Sequence, residues 1–236
     1  MTKTQDIITR IHSLVPKDRK IKIMNVCGSH EHTIAFSGMR CLMPENLEII
    51  PGPGCPVCVC PESDIINAIE LSKRDDVILV TYGDMLRVPT QQGSIRAEGK
   101  HYRMITSPFE AITIAKNNPD KKIVFFSIGF ETTTAPAAGI LEMGVPDNLS
   151  ILSSHRLTPA IMEILVKDAE IGIDGFIAPG HVSAIVGSNA WNVFSEKYGI
   201  PTVVAGFEPE NLMLGILEIL RQLHDSDVKT SNVYAG

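Results

Sequence analysis

The sequence predicts an α/β protein of two lobes, each a mostly parallel sheet flanked by helices, with its reactive motifs at a central cleft. Three observations predict this. Short β-rich runs alternate with helical patterns along the chain, which favours right-handed βαβ units and parallel sheets. The 236 residues suit one large domain or two small ones, and a 44% hydrophobic share supplies enough apolar material for real cores. The conspicuous Gly, Cys, His and acidic motifs each follow directly on a predicted strand, and open α/β sheets bind ligands at the carboxyl ends of their strands. The bland alternative is that loops are simply where polar residues and glycines collect. Loops held by a rigid scaffold carry function often enough to prefer the shared-cleft reading.

The N-terminus is polar through Asp6 and then turns amphipathic, with Ile7, Ile8, Ile11, Leu14 and Val15 recurring at helical spacing. It lacks the long apolar stretch of a signal peptide. The most apolar runs, such as 123–126, are too short to cross a bilayer. A cytoplasmic protein with no membrane partner is therefore expected. The net charge of −6 argues against a nucleic-acid partner, which would want a basic face.

Strands are predicted at 21–26, 47–50, 77–81 and 102–106. Helices are predicted at 31–38, at 62–72 on Ile65, Ile66, Ile69 and Leu71, and at 108–116. Asn117-Asn118-Pro119-Asp120 is a turn-rich break. It sets the expected boundary near 118, with lobes 1–118 and 119–236. The second half repeats the rhythm, with strands at 122–127, 150–153, 175–178 and 202–205 and helices near 133–142, 159–167, 188–197 and 210–223.

Cysteine usage is the first sharp clue. Cys27, Cys41, Cys55, Cys58 and Cys60 lie in one short stretch, and none follows Cys60. An odd, clustered set in a cytosolic chain points to metal or redox chemistry and away from a disulfide framework.

The first motif is Cys27-Gly28-Ser29-His30-Glu31-His32, at the end of a strand. A Cys and a His three residues apart can face one ion, and thiolate with imidazole suits zinc or iron. The competing reading is a buried, inert Cys beside a surface His pair. The second motif is Pro51-Gly52-Pro53-Gly54-Cys55-Pro56-Val57-Cys58-Val59-Cys60-Pro61. Its glycines and prolines fix an unusual path that brings main chain close to something. Pro61 fits the first position of the following helix, whose first turn holds Glu62 and Asp64. Cys58 and Cys60 then lie beside a helix N-terminus, where the dipole favours thiolate, partly offset by those carboxylates. A Cys-x-x-Cys turn can close a disulfide or hold a metal; a structural zinc clip would need ligands from Cys41 and the first motif.

Three further segments are individually weaker. In Gly129-Phe130-Glu131-Thr132-Thr133, a threonine can be a plain helix N-cap. Pro179-Gly180-His181-Val182-Ser183 places a His at a helix start. In Tyr82-Gly83-Asp84-Met85-Leu86-Arg87, Asp84 and Arg87 can form a structural pair. There is no Walker lysine motif, dinucleotide glycine fingerprint or nucleophile elbow.

Taken together, these motifs resemble the HypD family of hydrogenase maturation factors. Residues 27–31 resemble its Cys-Gly-Thr-His signature, and 52–58 match its second motif. The segments 83–89, 129–133, 179–183 and 206–209 match in family order, so the resemblance runs from about 20 to 223. It implies a scaffold for the Fe(CN)2CO group of [NiFe]-hydrogenases, working with a HypC-type chaperone. Iron is implied to sit between Cys27 and a partner cysteine. Cyanide is implied to arrive from a HypE-type donor as a thiocyanate, and Cys55 and Cys58 to act as a redox pair. Cys27 and Cys58 are carried as metal-contacting residues, and His30 as the residue that orients groups or moves protons near the iron. Glu131 and His181 are expected to join the cysteine pair in the chemistry. Family members also carry a C-terminal segment with four cysteines for a [4Fe–4S] cluster. Its ligands are missing here, and a fragment is the expected explanation. The readings set against this one are a stand-alone thiol–disulfide oxidoreductase and a zinc-binding interaction module.

Overall fold

The computed structural model describes residues 3–168 and 170–234. Elements run in the order α1 (Lys3–Leu14), β1 (Ile21–Asn25), α2 (Gly28–Phe36), β2 (Leu47–Pro51), α3 (Glu62–Ser72), β3 (Val77–Tyr82), α4 (Ile95–Glu98), β4 (Tyr102–Ile105), α5 (Pro108–Asn117) and β5 (Lys122–Gly129). They continue with α6 (Glu131–Glu142), β6 (Leu149–His155), α7 (Thr158–Val166), β7 (Gly175–Pro179), α8 (Gly180–Val186), α9 (Asn192–Tyr198), β8 (Thr202–Ala205), α10 (Pro209–Asp225) and β9 (Thr230–Asn232).

The strands form two sheets, of order β2-β1-β7-β8-β9 and β4-β3-β5-β6. Every pairing in both is parallel. The expected fold class is thus present, as two mostly parallel sheets flanked by helices.

The chain divides into two compact units: unit 1 is Met1–Gly54 with Leu157–Gly236, and unit 2 is Cys55–Arg156. The boundary expected near 118 falls inside unit 2. β3 and β5, on either side of it, are hydrogen-bonded neighbours in one sheet. A local turn is visible in sequence, whereas the pairing of β1 with β7 that builds unit 1 is not.

Both units are three-layered, and the two-residue period of a strand explains why. In unit 1, Ile23, Ile177 and Val203 turn to one face, packing on α1, α2 and α10 through Ile11, Ile34, Leu212 and Ile216. Their neighbours Met24, Phe176 and Val204 turn to the other, against Met162, Val182, Trp191 and Phe194. In unit 2, Phe125 packs with Ala111, Ala115 and Ile140, while Phe126 packs with Ile65, Ile69 and Met85. Among the described residues, no helix is long and apolar enough to cross a membrane.

The topology also fixes where a ligand can enter. In unit 1 the chain goes from β1 outward to β2, but from β7 the other way to β8 and β9. The carboxyl ends of β1 and β7 therefore part at a topological switch point. Unit 2 has its own switch point between β3 and β5.

Candidate functional site

Unit 1 places Cys27 at the end of β1, on its switch point. Helix α2 starts three residues earlier than expected, so Cys27 is its N-cap, in extended conformation (φ −146°, ψ 129°). Its carbonyl accepts the first helical bond from the Glu31 N–H at 3.0 Å. Its thiol makes no capping hydrogen bond, which leaves the sulfur uncommitted. The Cys27 N–H donates to Asn25 Oδ1 at 3.1 Å, and Asn25 Nδ2 donates to Glu31 Oε2 at 2.9 Å. Arg40 closes the set, pairing with Glu31 at 2.8 Å while its Nε donates to the Ile49 carbonyl at 3.1 Å. Buried Asn25 thus ties the cysteine backbone to a charged pair. Asn25 and Arg40 were not flagged by motif reading; their partners are set by the fold.

The glycine-proline segment has the close approach its composition suggests. A Cβ at Gly54 would fall 2.5 Å from the Gly28 nitrogen and 2.7 Å from the Cys27 Cα. No larger residue fits there without moving the main chain that carries the cysteine. The Gly52 N–H also donates to the Asn25 carbonyl at 2.6 Å.

His30 is not a surface residue. It is fully buried in the first turn of α2, and neither ring nitrogen has a well-aligned hydrogen-bond partner. Burial pulls its pKa down to about 4; the Ala205 and Gly206 carbonyls oppose that, and His181 adds to it. The ring is neutral at pH 7. Its centroid lies 4.9 Å from that of Phe207, whose ring is also 4.1 Å from that of His181. His181 is exposed near the start of α8, at the other side of the switch point. Ser183 of the same motif is structural: it donates to the Pro179 carbonyl at 2.9 Å and accepts from Trp191 Nε1 at 2.8 Å.

Unit 2 begins with the cysteine half of the second motif. The Cys58 N–H donates to Cys55 Sγ at 3.3 Å, so the two cysteines are neighbours. All five cysteines are free. The thiolate expected from the helix dipole does not appear. The Cys58 thiol is pushed up, first by its hydrogen bond to Cys55 and then by burial. The Cys60 thiol is pushed up by burial, its contact with Ser154 opposing and Asp64 adding. Pro61 is the N-cap of α3 and not its first helical residue. Cys60 Sγ lies 3.5 Å from Ser154 Oγ, which donates to Asp64 Oδ2 at 2.6 Å.

Glu131 opens α6 at the end of β5, where it is buried and partnered. The threonines after it are not the N-cap; Thr133 and Thr134 donate back to the Phe130 carbonyl. Gly129 before it has φ +143°, and a Cβ there would collide with Thr133. The Asp84–Arg87 pair does not form, and Asp84 accepts from the Met85 N–H instead. His155 is held at both nitrogens, by Ser127 Oγ at 3.0 Å and Ser153 Oγ at 3.1 Å, and half-burial lowers its pKa. Among the described residues, no three His, Cys, Asp or Glu side chains converge in a metal-binding group.

The fold and these edges define an α/β protein with an uncommitted thiol, Cys27, at the end of a strand, and a neighbouring cysteine pair, Cys55 and Cys58, on the turn before α3. The HypD family profile, described as "Hydrogenase formation hypA family", matches residues 2–236, and the chain belongs to that family of hydrogenase maturation factors. The hydrogenase maturation factor HypD of Azotobacter vinelandii is 43% identical over 244 residues, covering 98% of this chain and 64% of that protein. The hydrogenase expression/formation protein HupD of Azotobacter chroococcum mcd 1 is 42% identical, with the same coverage of 98% and 64%. HypD of Escherichia coli (strain K12) is 39% identical over 229 residues, covering 94% of this chain and 61% of that protein. The chain thus spans a little under two thirds of the length of these relatives.

Proposed function

We propose that this chain serves [NiFe]-hydrogenase maturation in the cytoplasm as a scaffold for the Fe(CN)2CO group, with iron as its cargo. Cys27 supplies one thiolate, a soft donor suited to iron carrying cyanide and carbon monoxide. A HypC-type small chaperone supplies a second sulfur. Neutral His30 stands one helical turn from Cys27 to orient the assembly, and Cys58 approaches the metal during transfer. Glu131 and His181 move protons.

Cyanide is delivered by a HypE-type protein as a thiocyanate, R–S–C≡N. The Cys55 and Cys58 thiols reduce it: the S–CN bond breaks, the Cys55–Cys58 S–S bond forms, and two electrons pass to the thiocyanate. The two thiol protons leave on R–SH and HCN, so atoms and charge balance. A two-electron reductant of the dithiol or iron–sulfur class restores the pair.

The observation that carries this reading is the fit of Gly54 against the Cys27–Gly28 backbone, with the redox pair beginning at the very next residue. A free-standing thiol oxidoreductase is less well supported. It has no need of Cys27 and His30, which the fold places together in the first turn of α2. The test is anaerobic co-expression with the small chaperone, followed by infrared spectroscopy of the purified complex. Metal-bound cyanide and carbon monoxide bands that vanish in Cys27→Ala support the scaffold. A complex that forms without bands would sink it for this chain.

A further inference from the structure

The parallel register of unit 1 reaches beyond its strands. Pro179 pairs with Ala205, so the residues two further on, His181 and Phe207, leave β7 and β8 abreast. Val204 pairs with Asn232, so Gly206 and Tyr234 leave β8 and β9 abreast. The side chains follow that register. Phe207 lies against both His181, at 4.1 Å, and His30, at 4.9 Å, and Tyr234 meets it edge-on at 6.2 Å. The Phe207 carbonyl accepts from Thr33 Oγ1 at 2.9 Å, which pins it to the helix carrying His30.

The glycines of two motifs make room for this arrangement. A Cβ at Gly180 would fall 2.8 Å from Tyr234 Cδ1, and one at Gly206 would fall 3.1 Å from Tyr234 Cδ2. Neither glycine has the positive φ that would explain it by turn geometry. The Tyr234 ring takes part of that room at both positions, with the Ala205 carbonyl 3.0 Å from a Cβ at Gly180 and Asn211 Nδ2 2.7 Å from one at Gly206.

We propose that Phe207 is a positioning residue, wedged by Tyr234, that fixes the His30 and His181 rings packed against it. His30 has no aligned hydrogen bond to hold its orientation, so packing must do so. Aromatic contacts supply that restraint directionally. The role of these histidines in maturation rests on the function proposed above; the clamp itself does not. β9 thereby belongs to the site, although it carries no reactive group.

Two measurements test this. The first is carbethoxylation of the purified chain by diethyl pyrocarbonate, read per histidine by mass spectrometry. Wild type is expected to react at His181 and to protect His30. Phe207→Leu and Tyr234→Ala are expected to expose His30 about tenfold faster, the change that follows from losing about 1.4 kcal/mol of ring packing. Tyr234→Phe is expected to behave as wild type. Unchanged protection in folded Phe207→Leu would overturn the clamp. The second is the infrared spectrum of the chaperone complex. Cyanide and carbon monoxide bands that shift or weaken in Phe207→Leu but hold in Tyr234→Phe support positioning, and identical bands in all three proteins overturn it. Wild type without bands would defeat the maturation reading alone, and the protection data would still decide the clamp.

Discussion

Units 1 and 2 are built on one plan and use it differently. Each has an all-parallel sheet with a switch point, and each presents cysteine chemistry at a sheet or helix end. In unit 1 the groups are immobilised. Cys27 is tied through its backbone to Asn25, and His30 is sealed under Phe207. In unit 2, Cys55 and Cys58 stand on a turn outside regular structure, with Cys58 exposed. The function proposed above uses that contrast: unit 1 would hold its cargo in a fixed place, and unit 2 would let a bond form and break. A group that must rearrange during its reaction belongs on a turn, and one that must keep a metal's geometry belongs on a packed element.

The strongest test of that contrast is Cys27→Ala. Loss of metal-bound cyanide and carbon monoxide bands to background is expected, with the unfolding midpoint unchanged. A variant that keeps the bands would show that unit 1 does not hold the cargo.

The next effect is acid sensitivity. The folded His30 pKa of about 4 lies below its ordinary 6.5. The unfolded chain therefore binds the proton more readily. Stability is fully present above about pH 6.5 and is lost as pH falls towards 4, by up to about 3 kcal/mol. Urea titrations at pH 7 and pH 4.5 measure this, and His30→Gln should flatten the dependence. Equal slopes in both proteins would mean that His30 is not held neutral.

A smaller loss is expected for Gly54→Ala. Its Cβ meets backbone atoms that cannot swing aside, so overpacking of about 1–3 kcal/mol should appear in chemical denaturation. No change would show that this segment yields easily. The smallest effect concerns reactivity. Raised thiol pKa values keep Cys58 and Cys60 protonated at pH 7, so iodoacetamide should label them slowly there and speed up above the ordinary thiol range. Rapid labelling at pH 7 would blur the distinction between an exchanging pair and an activated thiolate.

Much of this was legible in the sequence. Among the described residues, eight of the nine strands fall where strands are predicted; most are nearly continuous in apolar residues, as buried parallel strands are, while β4 and β6 are partly exposed. β9 was not legible, since Thr-Ser-Asn has neither length nor apolar character. Its place is set by the β8 edge it joins, and Tyr234 went unread with it. The site residues were legible as motifs, but their environments were not. The burial of His30 was not legible, because the Ala205 and Gly206 carbonyls and the Phe207 ring about it come from the distant end of β8. The helix dipole at Cys58 and Cys60 gave the wrong sign because burial and neighbouring groups outweigh it. The discontinuous unit 1 was hidden for the same reason: Lys22 and Asp174, 152 residues apart, are hydrogen-bonded, and nothing local announces that.

That discontinuity sets an order in time. Unit 2 is one unbroken segment and can close as soon as its own strands have been made. Unit 1 cannot, because β1 has only β2 beside it until β7 emerges. During synthesis the Cys27 segment therefore waits, three of its sheet's five strands still missing, while the unit carrying Cys55 and Cys58 is completed. The Cys27 edge is thus completed after the unit that carries Cys55 and Cys58.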